Sequence, residues 1–329
     1  AKTAQSSGVD QLWVTDNLPH RGAEAVLGAL AATVPIKLGT AVMVQYFRSP
    51  ISLAGTAAAV SELMAGRALD IAIARGNPNT PAIVHSPKPL SMLAETAQCL
   101  RALLNGEEVR FGDYPTVAEY FHLVPDARFS LECRPASPIR IYSGGTGPIA
   151  LKLAGRSMDG IMFGGNVLIP ARTGQLAGLL ALADSAAQEA ARPVPVPRVA
   201  EIKLSVAKDH HAARNFTRGT VGSRMLGFRR AGYQEADFLR LGISPRDIDV
   251  LEAARARGLP REAVGEWVTD PMIDAVFVAG DPAACREQID ELRVMAKEHG
   301  FHQLMFSELG PNPDEALELL CRELIPAPE

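Results

Sequence analysis

Ile139-Arg-Ile-Tyr-Ser-Gly-Gly-Thr-Gly-Pro-Ile-Ala-Leu-Lys-Leu-Ala-Gly-Arg156, continued by Ser157-Met-Asp-Gly-Ile-Met-Phe-Gly164, reads as strand, glycine turn, helix and strand. Ile139 to Tyr142 alternates β-branched with polar or aromatic residues, the period of a strand. Ser143, Gly144, Gly145, Thr146 and Gly147 follow, and three glycines in five residues let the backbone turn sharply and gather N–H groups at one point. Pro148 stands where a first helical residue belongs, because its fixed φ suits a helix start and its missing N–H is no loss there. A helix N-terminus carries partial positive charge and unpaired N–H groups, so this turn is a candidate anion site. The hydroxyls of Ser143 and Thr146 add donors. The expected occupant is a phosphate; the alternative is a tight strand-to-helix turn that holds no ligand.

The same alternation recurs on both sides of this stretch. Strands are expected at 11–16, 36–42, 69–75, 139–142, 160–163, 199–206 and 303–307. Helices are expected at 23–33, 50–64, 90–104, 169–192 and 313–324, with Asp281 capping another that begins at Pro282. Residues 107–138 break the rhythm with prolines and aromatics and read as an insertion. Residues 209–265 are helical, charged and broken by glycines, and read as a second one. Residues 272–277 read as a buried segment. Seven strands, each followed by a helix, fit an α/β (β/α)8 TIM barrel whose remaining strand would lie at the N-terminus. The competing architecture is an open doubly wound sheet, since Gly145-Thr-Gly-Pro-Ile-Ala150 fits the short dinucleotide fingerprint. Its ribose-binding carboxylate is absent, because the next strand ends Met162-Phe-Gly-Gly-Asn166. The barrel is therefore expected, as a single domain over residues 1–329.

Composition narrows the partners. The chain has 329 residues, 47% of them hydrophobic, and a net charge of −4, with no block of Lys or Arg to meet nucleic acid or an anionic membrane. No apolar run reaches membrane-spanning length, and no signal peptide is expected. Cys99, Cys133, Cys285 and Cys321 are widely spaced and form no Cys-x-x-Cys, so buried thiols in a cytoplasmic protein are expected rather than a zinc site or disulfides. The histidines show no metal-ligand spacing, and no metal is expected.

Several segments, taken in order, resemble the luciferase-like flavin and deazaflavin F420 oxidoreductase superfamily. They are Gly8-Val-Asp-Gln-Leu-Trp-Val-Thr-Asp16, Ile36-Lys-Leu-Gly-Thr-Ala-Val42, Ser61-Glu-Leu-Met-Ala-Gly-Arg67, Ile71-Ala-Ile-Ala-Arg-Gly76, Leu103-Leu-Asn-Gly-Glu-Glu-Val109, Ile141-Tyr-Ser-Gly-Gly-Thr-Gly-Pro148 and Leu153-Ala-Gly-Arg-Ser-Met-Asp-Gly160. The ending Leu309-Gly-Pro-Asn-Pro-Asp-Glu-Ala-Leu-Glu-Leu319 resembles the methylenetetrahydromethanopterin reductase branch, whose cofactor is F420. The resemblance implies a barrel whose first strand precedes Ala1. It also implies a non-prolyl cis peptide between Ala41 and Val42 behind a flavin-type ring, and Arg75 reaching the cofactor phosphate; the alternative for Arg75 is a rim salt bridge. The cofactor-binding candidates are thus Ala41, Val42, Arg75, Ser143, Gly144, Gly145, Thr146 and Gly147. Sugar-phosphate and alcohol dehydrogenases of the F420 branch match at Val14-Thr-Asp16 but carry His at the next position, where this chain has Asn17. Asn17 cannot titrate, and His20, three residues on, is the candidate substitute acid or base; the alternative is a solvated rim histidine. Asn17 and His20 are the catalytic candidates. Asp16 and Asp159 are expected as rim or cap carboxylates, and Trp13 and Tyr142 as core.

The expected activity is F420-dependent hydride transfer to or from a small organic substrate. One alternative is a two-component monooxygenase that uses reduced FMN and O2 and is fed by a separate flavin reductase; another is a non-catalytic flavin-binding barrel. A homodimer is also expected. Arg140, Lys152, Arg156 and Arg172 are the cations expected to meet the carboxylate tail that distinguishes F420 from FMN, and the irregular segment 77–90 is a candidate lid.

Overall fold

The computed structural model describes residues 1–18, 20–76, 80–165, 167–260 and 263–325, with the backbone alone at 81. Contacts group the chain into two compact units. The first comprises Ala1–Gln5, Val9–Met162 and Leu179–Arg198. Its strands Gln11–Val14, Lys37–Val44, Leu69–Ala74, Ile139–Ser143 and Gly160–Phe163 are hydrogen-bonded in that order, each parallel to the next. Parallel strands covered by helices are buried on both faces and read as unbroken apolar runs. Leu69–Ala74 is such a run, buried at every residue. The helices between strands present a stripe inward: Pro89–Leu104 buries Met92, Leu93, Thr96, Ala97, Leu100, Leu103 and Leu104, the spacing of one helical face. Ser49 starts Pro50–Leu63 by accepting from the Ser52 N–H. Within the 107–138 segment, Val109–Arg110 pairs antiparallel with Arg128–Phe129, and the helix Pro115–Phe121 packs aromatics on Tyr46.

Tyr142 is fully buried, as expected of a core residue, and meets the half-buried Trp13 edge-to-face at 6.4 Å. Burial pushes its phenol up to about 12. Asp159 accepts from the Ile141 N–H at 2.8 Å and pairs with Arg101 at 2.7 Å, which makes it a structural carboxylate.

The second unit comprises Ser6–Gly8, Phe163–Gly178 and Val199–Glu329. In it, the strand Arg198–Val206 pairs in parallel with Gln303–Ser307 along 199–203 and with Phe277–Gly280 along 203–206. The charged 209–265 segment holds the helices His210–Met225, Glu235–Arg240 and Pro245–Ala256. These close over a core of their own that includes Val221, Met225, Phe238, Ile248, Leu251 and Met272.

Two expectations change, those for 169–192 and Cys133, while the buried 272–277 segment is as expected and gains a secondary structure. The single helix over 169–192 is two helices, Leu168–Arg172 and Leu176–Glu189, because Gly174 adopts a left-handed φ of 77° that ends the first. The buried 272–277 segment is the end of the helix Asp270–Val276, and the chain then forms the strand Phe277–Gly280. Cys133 is exposed, because it lies in irregular chain outside any helix, whereas Cys99, Cys285 and Cys321 are buried. No described helix is long and apolar enough to cross a membrane.

Candidate active site at the strand ends of the first unit

The C-terminal ends of three strands meet around Gly144. Its N–H donates to the Ile73 carbonyl at 2.9 Å, which carries the strand pairing one residue into the turn. A Cβ on Gly144 would stand 2.5 Å from Val42 Cγ1 and 3.1 Å from Ala74 Cβ, so only glycine lets the three chains approach this closely. Val42, Gly144 and the strand end that leads to Arg75 are thereby brought together. The Ala41–Val42 peptide is cis, and the register to the strand Leu69–Ala74 shifts between Thr40 and Met43.

Asp16 fastens this irregular strand end. Its N–H donates to the Val42 carbonyl at 3.3 Å, and its carboxylate accepts from the Val44 N–H at 3.0 Å. Arg48 Nη1 donates to the same carboxylate at 2.6 Å, and Arg48 also pairs with Glu24. Asp16 is therefore a rim carboxylate whose two bonds bracket residues 42–44. Arg48 was not singled out from the sequence; its only signal there is a lone cation before the Ser49-Pro50 helix start.

The glycine turn divides its donors. Gly144 bonds to Ile73, and the Gly145 N–H donates to Ser143 Oγ at 3.2 Å. Ser143 is buried, so its hydroxyl shapes the turn rather than lining an open cradle. The N–H groups of Thr146, Gly147, Ile149 and Ala150 meet no acceptor among the described residues. Gly147 caps the helix Pro148–Ser157 without a side-chain bond, and a Cβ there would meet nothing within 4 Å. Arg75 is exposed and makes no ion pair with a described residue. Burial raises the Tyr46 phenol above its ordinary value, against the opposing pull of the nearby Arg75 charge. Four N–H groups unpartnered among the described residues stand at this helix start with the Thr146 hydroxyl, and the neighbouring strand end leads to Arg75; these are donors of the kind that meet a phosphate.

Asn17 is half-buried beside Asp16, and its carbonyl accepts from the His20 N–H at 2.8 Å, so both catalytic candidates share one turn. The His20 ring is exposed and bonds to no described residue.

The cations expected around the cradle are mostly engaged elsewhere. Arg140 sits near the start of its strand, at the end away from the turn, and grips the buried Asp70 through two bonds of 2.7 Å. Its position follows from strand geometry, since about 3.3 Å per residue separates it from the turn. Arg156 pairs with Glu189, and Arg172 lies in the second unit, donating to the Asp274 carbonyl. Lys152 is exposed with no ion pair to a described residue. Of the candidate lid, 77–79 fall outside the described residues; the rest holds the short helix Thr80–Ile83 and a left-handed Lys88.

Residues 1–299 match the luciferase-like monooxygenase family. A 5,10-methylenetetrahydromethanopterin reductase of Archaeoglobus fulgidus is 30% identical over 99% of this chain and 93% of its own. Among solved structures, the coenzyme F420-dependent tetrahydromethanopterin reductase of Methanopyrus kandleri superposes with a TM-score of 0.74 at 22% identity, covering 98% of this chain and 92% of its own. An FMN-bound type II Baeyer–Villiger monooxygenase component of Pseudomonas putida superposes at 0.61 with 19% identity, covering 98% and 89%. These likenesses show the α/β barrel fold expected from the sequence.

Proposed function

This chain belongs to the luciferase-like monooxygenase family, and from that premise we propose that it is an F420-dependent oxidoreductase acting on a small organic substrate. The observation that carries the cofactor site is the set of N–H groups from Thr146 to Ala150 that are unpartnered among the described residues, next to the strand end that leads to Arg75. Thr146, Gly147 and Arg75 hold the cofactor phosphate. Ser143, Gly144 and Gly145 give the turn its shape, and Ala41 and Val42 support the ring. When bound, the cofactor supplies the hydride chemistry, which the side chains here cannot. F420 is preferred to FMN because the reductase relatives match nearly the whole chain and the F420-dependent structure superposes better than the FMN-bound one. Arg140 and Arg156 no longer support a tail site, so the preference rests on the relatives.

Arg75→Ala removes one charge-assisted contact, worth about 1.5–3 kcal/mol, or roughly tenfold to a hundredfold in affinity. Calorimetric titration with F420 and with FMN reads this directly. Unchanged affinity would remove Arg75 from the site, and tighter binding of reduced FMN with substrate-coupled oxygen uptake would transfer the assignment to the monooxygenase reading.

The proton at the substrate is assigned to His20, the titratable group of its turn, while Asn17 orients through its amide. His20→Gln is expected to lower turnover while leaving F420 affinity unchanged, read by steady-state kinetics beside calorimetric titration. Undiminished turnover would exclude His20 from this role.

A further inference from the structure

An open cleft of about 620 Å³ in the second unit is lined by Arg172, Arg214, Arg240, Leu241, Gly242, Asp274 and Gln288. Three guanidinium groups face it and one carboxylate. Arg214 is the fixed member, with a side chain 12% exposed: it pairs with Asp274 at 2.8 Å and Asp270 at 3.2 Å and donates to the Ala279 carbonyl. The Asp274 carboxylate is thus already taken by Arg214.

Arg172 and Arg240 are differently placed. Arg172 donates through Nη1 to the Asp274 main-chain carbonyl and pairs with no carboxylate among the described residues. Arg240 reaches Asp237 Oδ1 and the Thr173 carbonyl only at 3.4 Å each. That Asp237 carboxylate already accepts from the Gln234 N–H at 2.9 Å and from Gln175 Nε2 at 3.1 Å. The Arg240 side chain is 59% exposed. Thr173 follows Arg172 directly, so Arg240 touches the segment that carries Arg172. Two arginines with spare donors on one rim repel each other unless an anion bridges them, and planar guanidinium forks suit a carboxylate or phosphate held by two bonds. Gly242, with a left-handed φ of 71°, leaves the floor open where a side chain would stand.

We propose that this cleft is a binding site for a small multivalent anion, a phosphate ester or a polycarboxylate, held by Arg172 and Arg240 over the fixed Arg214. It rests on no part of the F420 assignment. The test is calorimetric titration of the full chain with inorganic phosphate and, separately, with citrate, in a low-salt buffer free of both. Saturable binding of one probe and not the other identifies the ligand as phosphate-like or polycarboxylate. The double variant R172A/R240A is expected to lose binding of that probe by at least about a hundredfold, and R240K to keep more of it than R240A, since charge survives but the fork does not. Unchanged thermal unfolding without probe shows that these exposed substitutions leave the fold intact. No saturable binding of either probe, or equal binding by the double variant, overturns the proposal.

Discussion

Asp184→Ala is expected to destabilise the protein by about 3–5 kcal/mol, the cost of leaving a buried charge without its partner. Arg198 opens the strand Arg198–Val206 with a side chain only 3% exposed. Its Nη2 reaches both Asp184 oxygens, at 2.6 and 2.8 Å, and its Nε donates to the Val196 carbonyl at 3.0 Å. Asp184 Oδ1 also accepts from the Val196 N–H at 2.9 Å, so one carboxylate fixes both the guanidinium and the chain entering the strand. Alanine would leave the guanidinium buried with its carboxylate gone and the Val196 N–H without its acceptor. The double variant Asp184→Ala, Arg198→Met separates these effects, because replacing both members of a buried pair by apolar groups is often close to neutral. Denaturant midpoints should therefore fall further for the single variant than for the double. A single variant as stable as the parent would show that the guanidinium finds water without cost, contrary to its burial.

What the sequence disclosed, and what it did not, follows from the range of the interactions. Strand and helix positions were legible because they are set locally: the apolar run at 69–74 and the Pro148 and Pro282 helix starts lie where periodicity and capping put them. The break at Gly174 was not legible, since glycine is tolerated inside a helix and only its left-handed φ ends this one. The glycine turn was visible as a potential donor cluster, but not which donors remain available. That depends on Ile73 and on the Ser143 hydroxyl, which take up the Gly144 and Gly145 N–H groups. Arg140 looked close to the turn in sequence, yet an extended strand carries it to the far end, where Asp70 neutralises it. The cis Ala41–Val42 peptide came from family resemblance alone; nothing in Gly39-Thr-Ala-Val42 read locally would favour it. Arg48 and the arginine cleft of the second unit depend on contacts between residues distant in the chain, which periodicity cannot register.

Gly145→Asp is expected to weaken cofactor binding by about a hundredfold or more. Gly145 does not adopt a left-handed φ, so the substitution acts through space and charge rather than backbone strain. A Cβ there would stand 2.7 Å from Ala150 Cβ, within the first turn of the helix Pro148–Ser157. To make room, the turn must move away from the helix start that supplies the unpartnered N–H groups. Such overpacking costs about 1–3 kcal/mol, and each 1.4 kcal/mol corresponds to a tenfold change in affinity. The aspartate also places a negative charge beside the position assigned to the phosphate, where the helix N-terminus would itself attract that carboxylate and compete for the same donors. Gly145→Ala separates the two causes, since it adds the same Cβ without the charge. The alanine variant should lose less affinity, and the additional loss in the aspartate variant should shrink as salt rises, because screening acts on charge and not on bulk. The measurement is titration with F420 and with FMN at two ionic strengths, alongside thermal unfolding of each variant without ligand. If Gly145→Asp folds and binds both molecules as the parent does, the phosphate is not held at residues 143–147. The fold and family would stand, and the anion site would have to be sought on another strand end.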